Sequence, residues 1–181
     1  YIYNVTTGTL VHTLDNPNTF GTPQDDFFGR AVAISGNRAF VSAPGEDTAP
    51  LNNRGKVYIY DVTTGARLTI FISENIVSRP TINNPGSTGN SFGLRVGLSG
   101  NRAIVSAERQ DDDDGTESGK AYIFDIRTGN RLQTLDNPNP TGTSASDRFS
   151  ENLAISENYV IVTAPQEDDA QLDSGKAYIF R

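Results

Sequence analysis

The chain has 181 residues and a formal net charge of −7, with 35% hydrophobic residues, 17 glycines and 9 prolines. Such an acidic chain lacks the basic patches that nucleic acid or an anionic membrane surface requires, and no stretch approaches the roughly 18 apolar residues of a membrane span. It contains no Cys, which excludes a disulfide framework, a thiol nucleophile and a zinc–thiolate site. It also contains no Met and begins at Tyr1, so we expect a processed chain, a cut fragment or the ordered part of a longer protein.

An internal repeat organises the chain. Residues 55–65 return almost unchanged as residues 119–129, residues 1–8 repeat the second part of this stretch, and residues 175–181 repeat the first part. The period of roughly 60 residues is too long for a helical-hairpin solenoid and fits four short strands with their turns. We therefore predict one repeat array over residues 1–181. Its blade-like units lie approximately at 1–57, 58–121 and 122–181.

The first half of each unit predicts an anchor strand, a turn and a second strand. In the first unit Gly8 permits the tight turn, because glycine adopts positive φ without steric cost. The second strand runs over residues 10–14 and ends before Pro17, since proline donates no hydrogen bond to a ladder. The middle unit predicts a second strand at 68–72 and then a longer, diverged loop over residues 73–90.

The second half of each unit predicts a hairpin. In the first unit, residues 31–34 and 39–44 flank a Ser-Gly-Asn-Arg turn, and Gly-Asn between alternating apolar runs is a hairpin signal. Glu157 replaces the glycine in the third unit, which predicts a different turn there. Bulky Val32 and Ile34 alternate with alanines, and one bulky and one small face suit a sheet that lies between neighbouring sheets.

These elements predict an all-β fold. The expected architecture is a β-propeller-type repeat array of four-stranded antiparallel blades, with about three blades present. A propeller needs roughly four to eight blades to close. Three blades leave two apolar sheet faces open, so we expect a partial propeller that is completed by further chain or by the association of copies.

Two short motifs recur in all three units, one before the hairpin and one at its end. They comprise Phe28, Gly29, Ser42, Ala43 and Pro44 in the first unit, Phe92, Gly93, Ser106, Ala107 and Glu108 in the second, and Phe149, Ser150, Thr163, Ala164 and Pro165 in the third. With these motifs the chain resembles the FG-GAP repeats, and it is most similar to their bacterial branch, which shares the Ser-Gly-Asn hairpin and the Tyr-Ile-Phe-Asp anchor. The resemblance covers nearly the whole chain. It implies four-stranded propeller blades in a secreted or surface protein, as in the head of the integrin α-subunit.

The resemblance does not bring a metal site with it. Integrin-type repeats carry a calcium loop of Asp-x-Asp-x-Asp-Gly type between their first two strands. In this chain a two-residue turn occupies that place, for example Gly36-Asn37. The calcium ligands of the family therefore do not transfer to this sequence.

A different set of acidic residues lies in the loops that lead back to each anchor strand. Such loops suit calcium, which takes about six to eight hard oxygen ligands. The middle loop resembles part of an EF-hand loop, but Ala121 stands where the bidentate glutamate is needed. A solvated acidic loop is the simpler alternative. The candidate calcium ligands are Asp111, Asp112 and Asp114, with Asp47 and Asp168 at the aligned positions of the other units.

The sequence points to no catalytic centre. His12 is the only histidine and lies mid-strand without a distinctive serine motif nearby, so a Ser-His-Asp triad is not predicted. A carboxylate pair for glycoside hydrolysis needs two different environments, whereas these acids recur threefold. A hydrolase would need one blade whose loops differ sharply, and only the 73–90 insert offers that. We interpret the anchor aromatics as core rather than as a carbohydrate platform, because packing requires their regular recurrence.

The sequence therefore predicts a non-catalytic extracellular or cell-surface module with a structural or adhesive role. This module assembles head-to-tail into a polymer or completes a larger propeller, and its expected partners are copies of itself at the open blade ends or the rest of a longer chain. The alternative is an integrin-like propeller that binds a protein or glycan and holds calcium in its loops. A hydrolase on a propeller scaffold is the third hypothesis. Neither a nucleic-acid partner nor membrane insertion is expected.

Overall fold

The fold was analysed in a computed structural model of the chain. The described residues are 1–17, 24–46, 55–68, 91–111, 117–139, 144–168 and 172–181, together with the backbone of three short strands between 70 and 83. Within these ranges every regular element is a β-strand. The strands are β1 (Ile2–Tyr3), β2 (Leu10–His12), β3 (Val32–Ser35), β4 (Arg38–Ala43), β5 (Lys56–Asp61), β6 (Ile70–Ile72), β7 (Ile76–Ser78), β8 (Thr81–Asn83), β9 (Val96–Ser99), β10 (Arg102–Ala107), β11 (Lys120–Asp125), β12 (Arg131–Asp136), β13 (Leu153–Ser156), β14 (Tyr159–Ala164) and β15 (Lys176–Phe180).

The strands form antiparallel sheets that follow one another along the chain. The first blade has the order β3-β4-β5-β8, the second β9-β10-β11-β12, and the third β13-β14-β15, while β1 and β2 pair as a separate N-terminal sheet. Each blade joins the hairpin of one sequence unit to the anchor strand of the next. The predicted all-β fold with propeller-type blades is confirmed. Among the described residues the sheets do not close into a ring.

The N-terminal sheet repeats the outer half of a blade. In it Ile2 pairs with His12 and Tyr3 with Leu10, with a register shift between the two pairs. The second blade has a register shift at the same place, between Ile123 and Phe124, where its anchor strand meets β12. The same register shift in two sheets indicates a recurrent β-bulge. A bulge at this place locally increases the twist of the strand.

The outer strand of the first blade differs from the prediction of a strand at 68–72. An isolated bridge joins Tyr60 to Arg67, but residues 70–72 then pair with β7 in a separate hairpin. The ladder to β5 resumes only at β8, where Thr81 pairs with Tyr58. The insert is therefore a hairpin placed inside an edge strand, where extra residues do not disturb the paired interior of the blade.

The third hairpin turn also differs from the prediction. Glu157 has φ 51°, close to the 54° of Gly36 and of Gly100, so all three units use the same turn. A left-handed conformation is uncommon for a non-glycine residue. The backbone N–H of Glu157 donates to Ser99 Oγ of the second blade at 2.9 Å, and this bond between blades stabilises the turn.

Apolar side chains fill the joints between blades. At the first joint, Phe40, Val57 and Ile59 of the first blade cluster with residues of the second blade that include Val105 and Phe124. At the second joint the corresponding cluster contains Ile104, Ala121, Ile123, Phe149, Val160 and Val162. The predicted alternation of a small face and a bulky face is confirmed, because a Cβ added at Gly97 would lie 3.1 Å from Ile155 Cγ2 of the next blade.

Backbone contact at the second joint requires glycine at position 119. Gly119 has φ +87°, and a Cβ there would lie 2.1 Å from the carbonyl oxygen of Phe149 in the next blade. Gly129 has a similar φ of +73°, but nothing lies within 4 Å of the corresponding Cβ position. Substitution of the two glycines therefore distinguishes the cost of a side chain at positive φ from the cost of steric overlap with the next blade.

We predict that Gly119→Ala is markedly more destabilising than Gly129→Ala. The control substitution carries only left-handed strain, about 1–2 kcal/mol, whereas overlap at the joint adds roughly 1–3 kcal/mol to the loss for Gly119→Ala. Equilibrium urea unfolding of both variants measures the difference. Equal losses would contradict the close approach of the two blades.

Candidate functional site

Two of the predicted calcium ligands lie in the acidic loops that follow strands β10 and β14. Asp111 and Asp168 belong to the described residues, whereas Asp47, Asp112 and Asp114 lie outside them. No group of three or more His, Cys, Asp or Glu side chains that would hold a metal ion occurs within the described ranges. The calcium site stays a prediction.

The two described aspartates have the same structural role. Asp111 Oδ1 accepts the backbone N–H of Glu117 at 2.9 Å, and Asp168 Oδ1 accepts that of Asp173 at 2.8 Å. Glu117 and Asp173 both have left-handed backbones, with φ of 52° and 51°. Each of these two aspartates thus closes its loop just before the anchor strand, and this role accounts for an acid at both positions.

In the first and third units the residue before the aligned aspartate is a buried glutamate, which the sequence analysis did not separate from the solvated acids. Glu46 and Glu167 are fully buried. The carboxylate of Glu46 accepts a hydrogen bond from the Tyr58 hydroxyl and lies 2.8 Å from Lys56 Nζ. Glu167 makes the same pair of contacts, at 2.5 Å to the hydroxyl oxygen of Tyr178 and 3.1 Å to Nζ of Lys176. We call each such set of three side chains a carboxylate lock.

The second blade has a neutral version of this lock. Gln110 replaces the glutamate, and the Tyr122 hydroxyl donates to Gln110 Oε1 at 2.5 Å. Lys120 forms an ion pair with Asp136 of β12 instead. Burial raises the pKa of Tyr122, so its phenol remains a hydrogen-bond donor through the neutral range. The lock ties the acidic loop to the anchor strand in all three blades.

The recurrent signal for the lock was present in the sequence. A Gly-Lys-x-Tyr segment begins each of the later anchors, and Glu or Gln stands ten residues or so before its lysine. A lysine that alternates with core residues on an otherwise buried strand needs a counter-ion, because an unpaired buried charge is costly. That requirement points to the glutamate.

The two motifs of each unit are bonded to each other. Gly29 N–H donates to Ser42 O at 2.8 Å, and Ala31 N–H donates to Ser42 Oγ at 2.9 Å. The second and third units repeat both bonds. In these units Gly93 and Arg95 bond to Ser106, and Ser150 and Asn152 bond to Thr163. In every unit the serine or threonine of the second motif therefore stabilises the turn formed by the first motif.

The phenylalanine of this turn packs against the anchor strand. Phe92 lies 6.1 Å from Tyr122 and 6.3 Å from Phe124 between ring centroids, the latter pair edge-on at 83°. Phe149 has equivalent contacts with Tyr178 and Phe180. Edge-to-face pairs at these separations are favourable. The anchor aromatics of the three blades therefore pack with the core, as predicted. In the N-terminal sheet the prediction is wrong, because Tyr1 and Tyr3 are 79% and 56% exposed.

His12 holds the N-terminal sheet against the first blade. Its Nε2 lies 2.9 Å from the carbonyl oxygen of Thr63, and a Cβ at Gly65 would lie 2.8 Å from the imidazole ring. The histidine thus bridges two sheets through a backbone carbonyl. This contact gives His12 a structural role.

Comparison with known proteins decides the family. The sequence profile of the FG-GAP repeat matches residues 22–60, 83–124 and 140–180, together about two thirds of the chain. The chain belongs to the FG-GAP repeat family. A search of curated proteins finds no match. FG-GAP repeats are in general non-catalytic repeat or binding modules and are typical of extracellular proteins.

The matched segments coincide with the blades. Each FG-GAP segment begins before the turn that contains the first motif, includes one hairpin and ends on an anchor strand, as at residues 83–124. The repeat of this family is therefore the structural blade without its outer strand. No helix among the described residues is long and apolar enough to cross a bilayer.

The charged and neutral locks make a matched test. We predict that Tyr58→Phe lowers the free energy of unfolding by roughly 1.5–3 kcal/mol, because the lost hydrogen bond is made to a buried carboxylate. Tyr122→Phe loses a bond to a neutral amide and costs about 0.5–1.5 kcal/mol. Denaturant unfolding of both variants measures the contrast. Equal losses, or a larger loss for Tyr122→Phe, would refute the assignment of Glu46 as an ionised partner.

Proposed function

We propose that this FG-GAP array is a non-catalytic extracellular module with a structural or adhesive role. The observation that supports the proposal is that the recurrent side chains of the described blades make structural contacts within the array. The aromatics lie in the core, the buried glutamates bind lysine and tyrosine, and the aligned aspartates close loops. A scaffold requires these roles, whereas a reaction centre needs residues that break the repeat.

The exposed faces at the two ends of the array support a role in assembly. Ile161 and Ile179 of the third blade are 42% and 72% exposed, whereas the equivalent Ile104 and Ile123 of the second blade are 0% and 7% exposed under a neighbouring blade. At the other end, Val32 is 68% exposed. Exposed apolar patches of this kind mark interaction sites. The joints inside the array show that a blade of the same type covers such a face.

We predict that the purified 181-residue chain self-associates through its third blade. Ile179→Asp is expected to shift the chain toward monomer, because a carboxylate on this face opposes burial. Leu172→Asp is the matched control, since Leu172 is 84% exposed and lies in a turn rather than on the sheet face. Light scattering after size exclusion at several concentrations gives the masses.

A wild-type chain that is monomeric at all concentrations would contradict self-association. Equal effects of the two aspartates would show that the open sheet face of the third blade is not the contact. The mass of the native polypeptide in its source cells then decides whether further blades of a longer chain cover the same faces. Recovery of the protein from an extracellular or cell-surface fraction tests the proposed location.

A second function, calcium-supported binding of a protein or glycan, is favoured by the acidic loops. Asp111 and Asp168 bring a carboxylate to the same point of two blades, with one oxygen bonded to the loop backbone. Calcium accepts such carboxylates together with backbone carbonyls. In this second function calcium binds the loop carboxylates, and the loops present the ligand surface.

We predict that calcium raises the thermal midpoint of the wild-type chain if this second function holds, because binding to the native state stabilises it. Asp111→Asn keeps the bond to Glu117 but removes the charge, so it is expected to abolish the calcium-dependent rise without altering the midpoint in EDTA. Calorimetric titration with calcium provides the affinity. An absent response at millimolar calcium would leave the aspartates with their loop-closing role alone.

A further inference from the structure

The second joint contains a glutamate where the other units have proline. Glu108 follows Ala107 at the end of β10, at the position of Pro44 in the first unit and Pro165 in the third. It is the one place where an ionisable side chain enters the motif that ends the hairpin. The residue is not accounted for by the roles of the other acids.

Glu108 is largely buried, and its carboxylate has no bonded partner among the described residues. Only 7% of its surface is exposed, and it has neither a hydrogen bond nor an ion pair with any of the described residues. The buried glutamates of the first and third blades are bonded to both lysine and tyrosine. Burial of an unpaired carboxylate disfavours its ionised form.

The environment of Glu108 contains charges from both blades. Ala107 N–H donates to Ser150 Oγ at 3.3 Å, which brings Glu108 of the second blade close to Glu151 of the third. The charge of Glu151 opposes ionisation of Glu108. The positive charges of Arg95 and Arg109 in the second blade, and of Arg148 in the third, act in the opposite direction.

We propose that the second joint is a pH-responsive contact, in which protonation of Glu108 tightens the packing of the third blade on the second. The proposal goes beyond the structural or adhesive role and does not depend on it. Pro44 and Pro165 have no titratable group, so the other hairpin ends lack this response. The array would thus become more rigid at one internal joint on mild acidification.

The direction of the effect follows from the two protonation states. Burial, reinforced by Glu151, raises the pKa of Glu108 in the folded chain. The folded state therefore binds this proton more tightly than the unfolded state, and stability rises as the pH falls through the raised pKa toward the ordinary glutamate range of about 4.3. The carboxyls of Asp61 and Asp125, whose pKa values are lowered, weaken the fold only below their ordinary range.

The test compares wild type with Glu108→Gln in EDTA, which removes any contribution from calcium. The amide mimics the protonated acid, so we expect the variant to melt roughly 2–4 °C above wild type at pH 7.5. This difference should disappear by about pH 4.5, where the wild-type residue is itself protonated. Glu108→Pro, which restores the residue of the other units, should behave like Glu108→Gln. Glu157→Gln, at an exposed turn, is the matched control and should show no such pH-dependent difference.

A second measurement reports on the joint itself. Hydrogen exchange of the Ala107 amide, corrected for the intrinsic rate at each pH, should show greater protection in wild type at pH 5 than at pH 7.5. In Glu108→Gln the protection should be equal at both values. A melting difference that is constant across pH, or protection in wild type that does not change with pH, would overturn the proposal, even if global unfolding proves irreversible.

Discussion

Each blade depends on one turn that performs two tasks at once. The turn places a phenylalanine against the two aromatics of the anchor strand, as Phe92 lies against Tyr122 and Phe124. It also donates its backbone N–H to the strand that ends the hairpin. Because the residue before each such phenylalanine has a positive φ, from 52° to 58°, the chain reverses sharply there. Packing of the ring offsets the cost of this conformation.

The carboxylate locks show how one position tolerates two chemistries. A buried glutamate needs its lysine, because removal of the lysine leaves a buried charge without compensation, and its tyrosine, because removal of the tyrosine leaves a carboxylate oxygen without its hydrogen bond. In the second blade Gln110 removes the charge, and Lys120 instead pairs with Asp136, whose side chain is 59% exposed. The lysine is therefore not bound to one partner. Its ion pair with Asp136 keeps the anchor strand free of an unpaired charge.

The sequence was sufficient for the fold because its signals are local and recur three times. Anchor strands, Gly-Asn hairpins and the alternation at Val96 and Leu98 all appear in the structure. The strand at 68–72 was misassigned, because a hairpin inserted into an edge strand leaves no break in apolar character. Glu157 was misjudged for a different reason. Its turn is stabilised by Ser99 of the neighbouring blade, and no local pattern reveals a contact across 58 residues.

The site was harder to predict than the fold because neighbouring acids in the same loop have opposite environments. Sequence reasoning grouped Glu167 with Asp168, although the first is fully buried and the second only partly. Periodicity cannot separate them, since the loop is irregular. The lysine at the start of the anchor strand was the available indication, because an ion has to be matched when it is taken into a core.

Main-chain atoms make several of the hydrogen bonds between the second and third blades. Arg148 N–H donates to Glu117 O at 3.2 Å, and Phe149 N–H donates to Ser118 O at 2.8 Å. Every unit offers such groups whatever its side chains. An ancestral gene could therefore lengthen by duplicating a unit, or lose one by deletion, without compensating changes in the neighbour, provided that the apolar face is retained. Recombination among related arrays would then change the number and order of blades while the joints remain compatible.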